Sequence, residues 1–177
     1  MKATIIYKGK YGATRQYAEW LAQELKVSVA STDEYKESDL TSSDTVILGS
    51  SVYIGQLQIK QWLKEHEQVL LNKKIFLFVV CGTPPEEKEM IQPYVNSSVP
   101  KSILQQSHIY FLHGRLIYKT LSRLDKFMLR MGAMLTRDPK TRKAMRTDYD
   151  DVKKESLMPL ITELKKATRQ TGVVYPE

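Results

Sequence analysis

With Cys81 the sole cysteine among 177 residues, no internal disulfide can form, and a reducing, cytoplasmic setting is expected. Long apolar runs are missing as well: the most continuous, "IFLFVV" at 75–80, falls far short of the roughly 20 residues that cross a bilayer. The opening "MKATIIYKGK" turns polar too early for the apolar stretch of a signal peptide. His66, His108 and His113 have no metal-ligand spacing, and HExxH, paired cysteines and a GxSxG elbow do not occur, so no metal and no hydrolytic nucleophile is expected. Neither GxGxxG nor GxxxxGK[ST] occurs, which argues against a dinucleotide or a nucleoside triphosphate. Repeats, low-complexity segments and linkers are also lacking.

What is present supports one ordinary core. A 42% hydrophobic content over this length predicts a single domain, residues 1–177. The formal charge of +7 is unevenly placed. Between His113 and Arg146 stand ten Lys or Arg against Asp125 and Asp138, a net +8, so the rest of the chain is at −1. The basicity therefore belongs to one stretch, a helical insertion at 115–146.

Short apolar runs rich in β-branched and aromatic residues mark strands buried on both faces: "ATIIY" (3–7), "TVILGS" (45–50), "KIFLFVVCG" (74–82), "HIYFLHG" (108–114) and, more weakly, "VSVAS" (27–31). Helical patterns alternate with them, through Tyr17, Leu21 and Leu25, then Ile59, Leu63 and Leu70, then Glu86 to Val95. A last helix is predicted from "TDYD", with Thr147 as cap, through Val152, Leu157, Ile161 and Leu164, kinked at Pro159. Five strands alternating with helices predict an α/β fold, a parallel sheet with helices on both faces.

In such sheets ligands sit beyond the carboxyl ends of the strands, where the strand order reverses. The first strand ends in Lys8-Gly9-Lys10-Tyr11-Gly12-Ala13-Thr14, and the helix that follows has no acid in its first turn. Exposed N–H groups at a helix start favour negative charge, here left for a ligand to supply. Gly9 and Gly12 let backbone N–H groups converge, Thr14 offers a hydroxyl, and Lys8 and Lys10 add charge. The plainer reading is a tight turn with solvated lysines.

"YKGKYGATRQYAEWLAQEL" followed by "TVILGSSVYIGQLQ" resembles the flavodoxin family, whose first loop wraps the phosphate of FMN. The later "HGRLIYKTLSRLDKFMLRMGAM" and "TRKAMRTDYDDV" are similar to the flavodoxin-like, quinone-dependent protoporphyrinogen dehydrogenases, which carry a helical insertion with a "DRFM"-like core. The resemblance spans the chain. It implies a doubly wound sheet of five parallel strands in the order 2-1-3-4-5, with the insertion after the last strand. It also implies FMN as cofactor, its ring held between Ser51-Val52-Tyr53-Ile54-Gly55 and Cys81-Gly82-Thr83. Tyr53 or Ile54 would meet the ring face, Gly55 would permit a peptide flip, and Gly82 would admit the backbone. Cys81 reads as a small residue at a strand end or as a redox nucleophile, the first being favoured. Two departures stand out: hydroxyl residues usually open flavodoxin phosphate loops where Lys8 and Gly9 stand, and flavodoxins are typically acidic.

In the basic stretch Ile117, Leu121, Leu124, Met128, Met131 and Leu135 step as one helical stripe, opposite Lys119, Arg123, Lys126 and Arg130. A helix at 116–135 of this kind suits an anionic membrane surface at the inner face of the cell membrane, or a substrate bearing several carboxylates. Interleaved stacking residues are absent, so nucleic acid is not expected. The expected function is an FMN-dependent oxidoreductase that oxidises a tetrapyrrole and passes electrons to a quinone. The alternatives are a non-enzymatic flavodoxin-type electron carrier and an interaction module that has lost flavin. No side chain identifies itself as the general base.

Overall fold

A computed structural model describes residues 2–170; Met1 and residues 171–177 of the expected domain lie outside the described residues. The strands are β1 (Ala3–Lys8), β2 (Ser28–Ser31), β3 (Thr45–Tyr53), β4 (Gln56–Leu57), β5 (Lys74–Cys81), β6 (Ser107–His113), β7 (Arg115–Leu116) and β8 (Tyr149–Asp150). The α-helices are α1 (Ala13–Leu25), α2 (Glu37–Ser42), α3 (Lys60–Glu65), α4 (Glu67–Leu70), α5 (Lys88–Ser98), α6 (Lys101–Gln106), α7 (Arg123–Leu135), α8 (Pro139–Ala144) and α9 (Met158–Gln170).

Five strands lie parallel in the order β2-β1-β3-β5-β6, which counts as 2-1-3-4-5 once the short hairpin strand β4 is set aside. Side chains alternate across each strand, so the sheet feeds two cores. Ile6, Val46, Leu48, Leu77 and Val79 pack on one face with Leu63, Ile91, Val95 and Ile103 from α3, α5 and α6. Ile5, Ile47, Phe76 and Phe78 pack on the other with Tyr17 and Leu21 of α1 and Leu160, Ile161 and Leu164 of α9. Both faces being covered explains why these strands read as unbroken apolar runs. β1 sits at the reversal, with β2 on one side and β3 on the other, and β1, β3 and β5 end together at Lys8, Tyr53 and Cys81.

Three expectations are corrected beyond β6. The helix expected at 116–135 is only α7, because residues 115–116 pair antiparallel with 149–150 and residues 118–120 form a 3-10 turn. Its N-cap is Ser122, whose side chain accepts from the Asp125 amide. Ile117 and Leu121 thus leave the helical stripe. The last helix starts at Met158 and not at Thr147, since Tyr149 and Asp150 are drawn into β8 and a 3-10 turn fills Lys154–Leu157. Pro159 then stands in the first turn of α9, where its missing N–H costs nothing, and does not kink the helix. The insertion is thus a loop-out closed at its base by the β7–β8 ribbon.

Candidate functional site

The cleft forms where the loops after β1, β3 and β5 meet. Gly12 caps α1 in a left-handed conformation with φ 84°, no side chain caps the helix, and its first turn carries no acid. The N–H groups of that turn are therefore presented with a free positive dipole end. Gly9 lies against Thr14: a Cβ at position 9 would stand 2.5 Å from the Thr14 Oγ1. The close approach buries Thr14 beneath the loop. Lys8 turns away to Asp33, with Nζ 3.2 Å from Oδ1.

The segment after β3 is tighter than an open loop. Ile54 (φ 50°) and Gly55 (φ 70°) are the two central residues of a hairpin that pairs Tyr53 with Gln56 and Val52 with Leu57. Positive φ at both positions matches the twist of a two-residue turn, but it is costly for a β-branched residue such as Ile54, by about 1–3 kcal/mol. Ile54 projects at the tip, 61% exposed. Ser51 donates to Gln58 Oε1 at 2.6 Å, which fixes the strand leading into the turn.

The third wall is the end of β5. The Thr83 amide donates to the Cys81 sulfur at 3.5 Å, so the thiol, half-buried, serves the turn. Beside Gly82 stands the hydroxyl of Tyr149, in the space a Cβ at 82 would need. Burial pushes the Tyr149 phenol up to about 12. His113 stacks on Tyr149 with ring centroids 5.6 Å apart, faces the Asp151 carboxylate through Nδ1 at 3.2 Å, and reaches the Gly82 carbonyl through Nε2 at 3.0 Å.

Asp125 is the one buried charged side chain among the described residues, 5% exposed, and it comes from the basic insertion. Lys10 Nζ donates to its Oδ2 at 2.7 Å and Tyr53 Oη to its Oδ1 at 2.6 Å, and the Tyr11 hydroxyl also donates to Oδ2. Lys10 in turn donates to Tyr53 Oη at 3.0 Å and stands 4.3 Å from the Tyr53 ring centroid. The Asp125 carboxylate, then the Tyr53 hydroxyl, raise the Lys10 ammonium above its ordinary value.

Of the expected site residues, Lys10, Tyr11, Ala13, Thr14, Ser51, Val52, Tyr53, Cys81 and Gly82 line one cleft of about 90 Å³. Lys8 and Gly9, with Lys10 and Tyr53, line a neighbouring cavity of about 350 Å³. Gly12, Ile54, Gly55 and Thr83 shape the loops without lining either. The sequence reading missed Arg115, Asp125, His113 and Tyr149 as site residues. Arg115 lines the cleft beside Ala13 and Thr14, donates to Gln16, lies 3.5 Å from Asp150, and has a buried Nε without a partner. An orphaned guanidinium N–H, an acid-free helix start and a buried threonine are the donor set that suits a phosphate. The residues present therefore fit the phosphate of a flavin mononucleotide by chemistry.

A doubly wound sheet with three such strand-end loops defines a nucleotide-cofactor fold of the flavodoxin type. The family profile described as "Flavodoxin domain" matches residues 4–143, and the chain belongs to that family. It is thereby a flavoprotein of the oxidoreductase or electron-carrier class, with FMN as its cofactor. Over 165 residues the chain is 26% identical to the protoporphyrinogen IX dehydrogenase [quinone] of Escherichia coli strain K12, covering 86% of this chain and 91% of that protein. Among solved structures it is similar to the Trp repressor binding protein from Bacillus subtilis, with TM-score 0.49, 17% identity, and coverage of 77% of this chain and 99% of that one. A flavoprotein in complex with FMN from Lactobacillus acidophilus gives TM-score 0.46, 16% identity, and coverage of 63% and 91%. Among the described residues no group of three His, Cys, Asp or Glu could hold a metal, and no helix is long and apolar enough to cross a membrane.

Proposed function

We propose that the protein is an FMN-dependent dehydrogenase that oxidises a reduced tetrapyrrole and passes the electrons to a quinone, as one domain that includes the insertion. The observation that carries this reading is the attachment of α7: the insertion reaches back to the cofactor loops through Asp125 and presents a helix with both apolar and cationic faces beside them. A carrier of the flavodoxin type needs an open flavin edge for its protein partners, whereas a helix fastened beside the cleft suits a small substrate. The similarity to the Escherichia coli protoporphyrinogen IX dehydrogenase supports the same substrate class.

In this reading the first turn of α1, with Gly9, Thr14 and Arg115, holds the FMN phosphate. Tyr53, Ile54 and Gly55 on one side and Cys81, Gly82 and Thr83 on the other hold the ring. When bound, the flavin supplies two-electron chemistry at neutral pH. Each turnover removes two electrons and two protons from the substrate and delivers them to the quinone as quinol. Before substrate enters, the Tyr53 hydroxyl rests on Asp125, which orients its ring, and the Tyr149 hydroxyl lies against Gly82. The exposed side chains Phe127, Met131, Met134 and Leu135, with the neighbouring cations, hold the enzyme at the anionic inner face of the membrane, where quinone resides.

Titration of the purified protein with FMN tests the cofactor site. Thr14→Val removes a hydroxyl bond to a charged group worth about 1.5–3 kcal/mol, so affinity falls about 10- to 100-fold. An unchanged affinity removes Thr14 from the phosphate site.

A further inference from the structure

The basic insertion contributes its one buried acid to the cofactor loops, and three donors converge on it. The Asp125 carboxylate is chelated on both oxygens, Oδ1 by Tyr53 and Oδ2 by Lys10 and Tyr11. The donors also contact one another. Lys10 Nζ stands over both phenol rings, 4.3 Å from the Tyr53 centroid and 5.4 Å from that of Tyr11, and is bonded to the Tyr53 hydroxyl. The three side chains are thus a preformed receptor for a planar, two-oxygen anion.

The helix that carries this acid buries little else. Among the described residues of α7 only Asp125 and Ala133 are buried, while Leu124, Phe127, Met134 and Leu135 are well exposed. The helix is fastened to the cleft by an ionic contact and not by a core. Beside the receptor lies the cavity of about 350 Å³ that Lys10 and Tyr53 also line, together with Lys8, Ser31 and Gln58. A volume of that order accommodates part of a small organic molecule.

We propose that Lys10, Tyr11 and Tyr53 form a carboxylate-binding site at the cofactor cleft, filled by the chain's own Asp125 and taken over by a carboxylate of the substrate when α7 withdraws. The site differs from the phosphate cradle, which uses the backbone of the same loop, Thr14 and Arg115. Its assignment to a tetrapyrrole carboxylate rests on the function proposed above, but the receptor itself does not. Placing the helix acid and the substrate acid in competition means that substrate entry moves α7.

Chemical rescue tests the receptor on the full chain. Asp125→Ala empties the site, and its melting temperature is expected to be higher in acetate than in chloride at equal ionic strength. The wild-type protein shows no such difference, because its own carboxylate is present at high effective concentration. Adding Tyr53→Phe to Asp125→Ala abolishes the acetate response. No acetate-specific shift overturns the proposal, and so does rescue by inorganic phosphate without rescue by acetate, which would assign the donors to the cofactor phosphate. Should Asp125→Ala not fold, porphyrin binding to the FMN-loaded wild-type protein decides. A porphyrin bearing free propionates is expected to bind at least tenfold more tightly than its dimethyl ester, and Lys10→Met to reduce that preference to near parity. A preference that Lys10→Met leaves unchanged overturns the site. Acetate rescue without any porphyrin binding keeps the receptor and removes the tetrapyrrole reading.

Discussion

Replacing Phe127 and Met134 with serine separates a membrane-facing α7 from one packed on its own domain. These two side chains are 60% and 70% exposed, so the fold gains little from them and the double variant should melt within about 0.5 kcal/mol of the parent. Full burial of a Phe or Met side chain contributes about 1.5–3 kcal/mol, and roughly two-thirds of that remains available to each for insertion into lipid. Losing both then costs about 2–4 kcal/mol of membrane affinity, or roughly 30- to 1,000-fold in partitioning. The assay is sedimentation with anionic vesicles, at low salt and near 1 M salt. There the Debye length is about 3 Å and the attraction of Arg123, Lys126 and Arg130 is screened. Wild-type protein should retain part of its binding at high salt, and the variant should lose that part while keeping the salt-sensitive part. Equal binding of the two proteins at high salt, or a marked drop in the variant's melting temperature, refutes the reasoning.

A methyl at position 9 tests the phosphate loop: Gly9→Ala sets a Cβ 2.5 Å from Oγ1 and 2.6 Å from Cβ of Thr14, so urea unfolding should show a loss of about 1–3 kcal/mol together with weaker FMN binding. An unchanged midpoint contradicts the packing. Tyr149, raised from 10.0 to about 12 by burial, favours the folded state fully below pH 10 and loses that contribution as pH rises toward 12. Between pH 9 and 11 the wild-type protein should therefore lose about 1.4 kcal/mol more stability than Tyr149→Phe, and parallel stability–pH curves would show the phenol to be solvated.

The sheet was legible because its central strands are buried on both faces and announce themselves as unbroken apolar runs, and the first loop because glycines without an acid stand at a strand-to-helix junction. What escaped the sequence depends on contacts between distant segments. Asp125 reads as one neutralising charge in a +8 stretch, yet its partners Lys10, Tyr11 and Tyr53 lie 115, 114 and 72 residues away. Tyr53, like Ile54, was read for a ring contact alone, and the bond of its hydroxyl to Asp125 left no trace in the sequence. The start of α7 did have a local signature, Ser122 followed three residues on by Asp125, of the kind that marks a helix N-terminus. A stripe traced from Ile117 obscured it. At "TDYD" a capping signal was outweighed by pairing of Tyr149 and Asp150 with Leu116 and Arg115, a two-residue ribbon too short to leave a periodicity. Arg115 likewise reads as part of the charge run until the ribbon brings it to the cleft.

An FMN site that serves oxidation of a tetrapyrrole is tested most directly by an anaerobic spectrum of the purified, FMN-loaded protein. Addition of protoporphyrinogen should bleach the visible absorbance of the oxidised flavin, and a menaquinone analogue should restore it with formation of quinol. Failure to bind FMN contradicts the site, and bound FMN that protoporphyrinogen leaves oxidised contradicts the dehydrogenase and leaves an electron carrier.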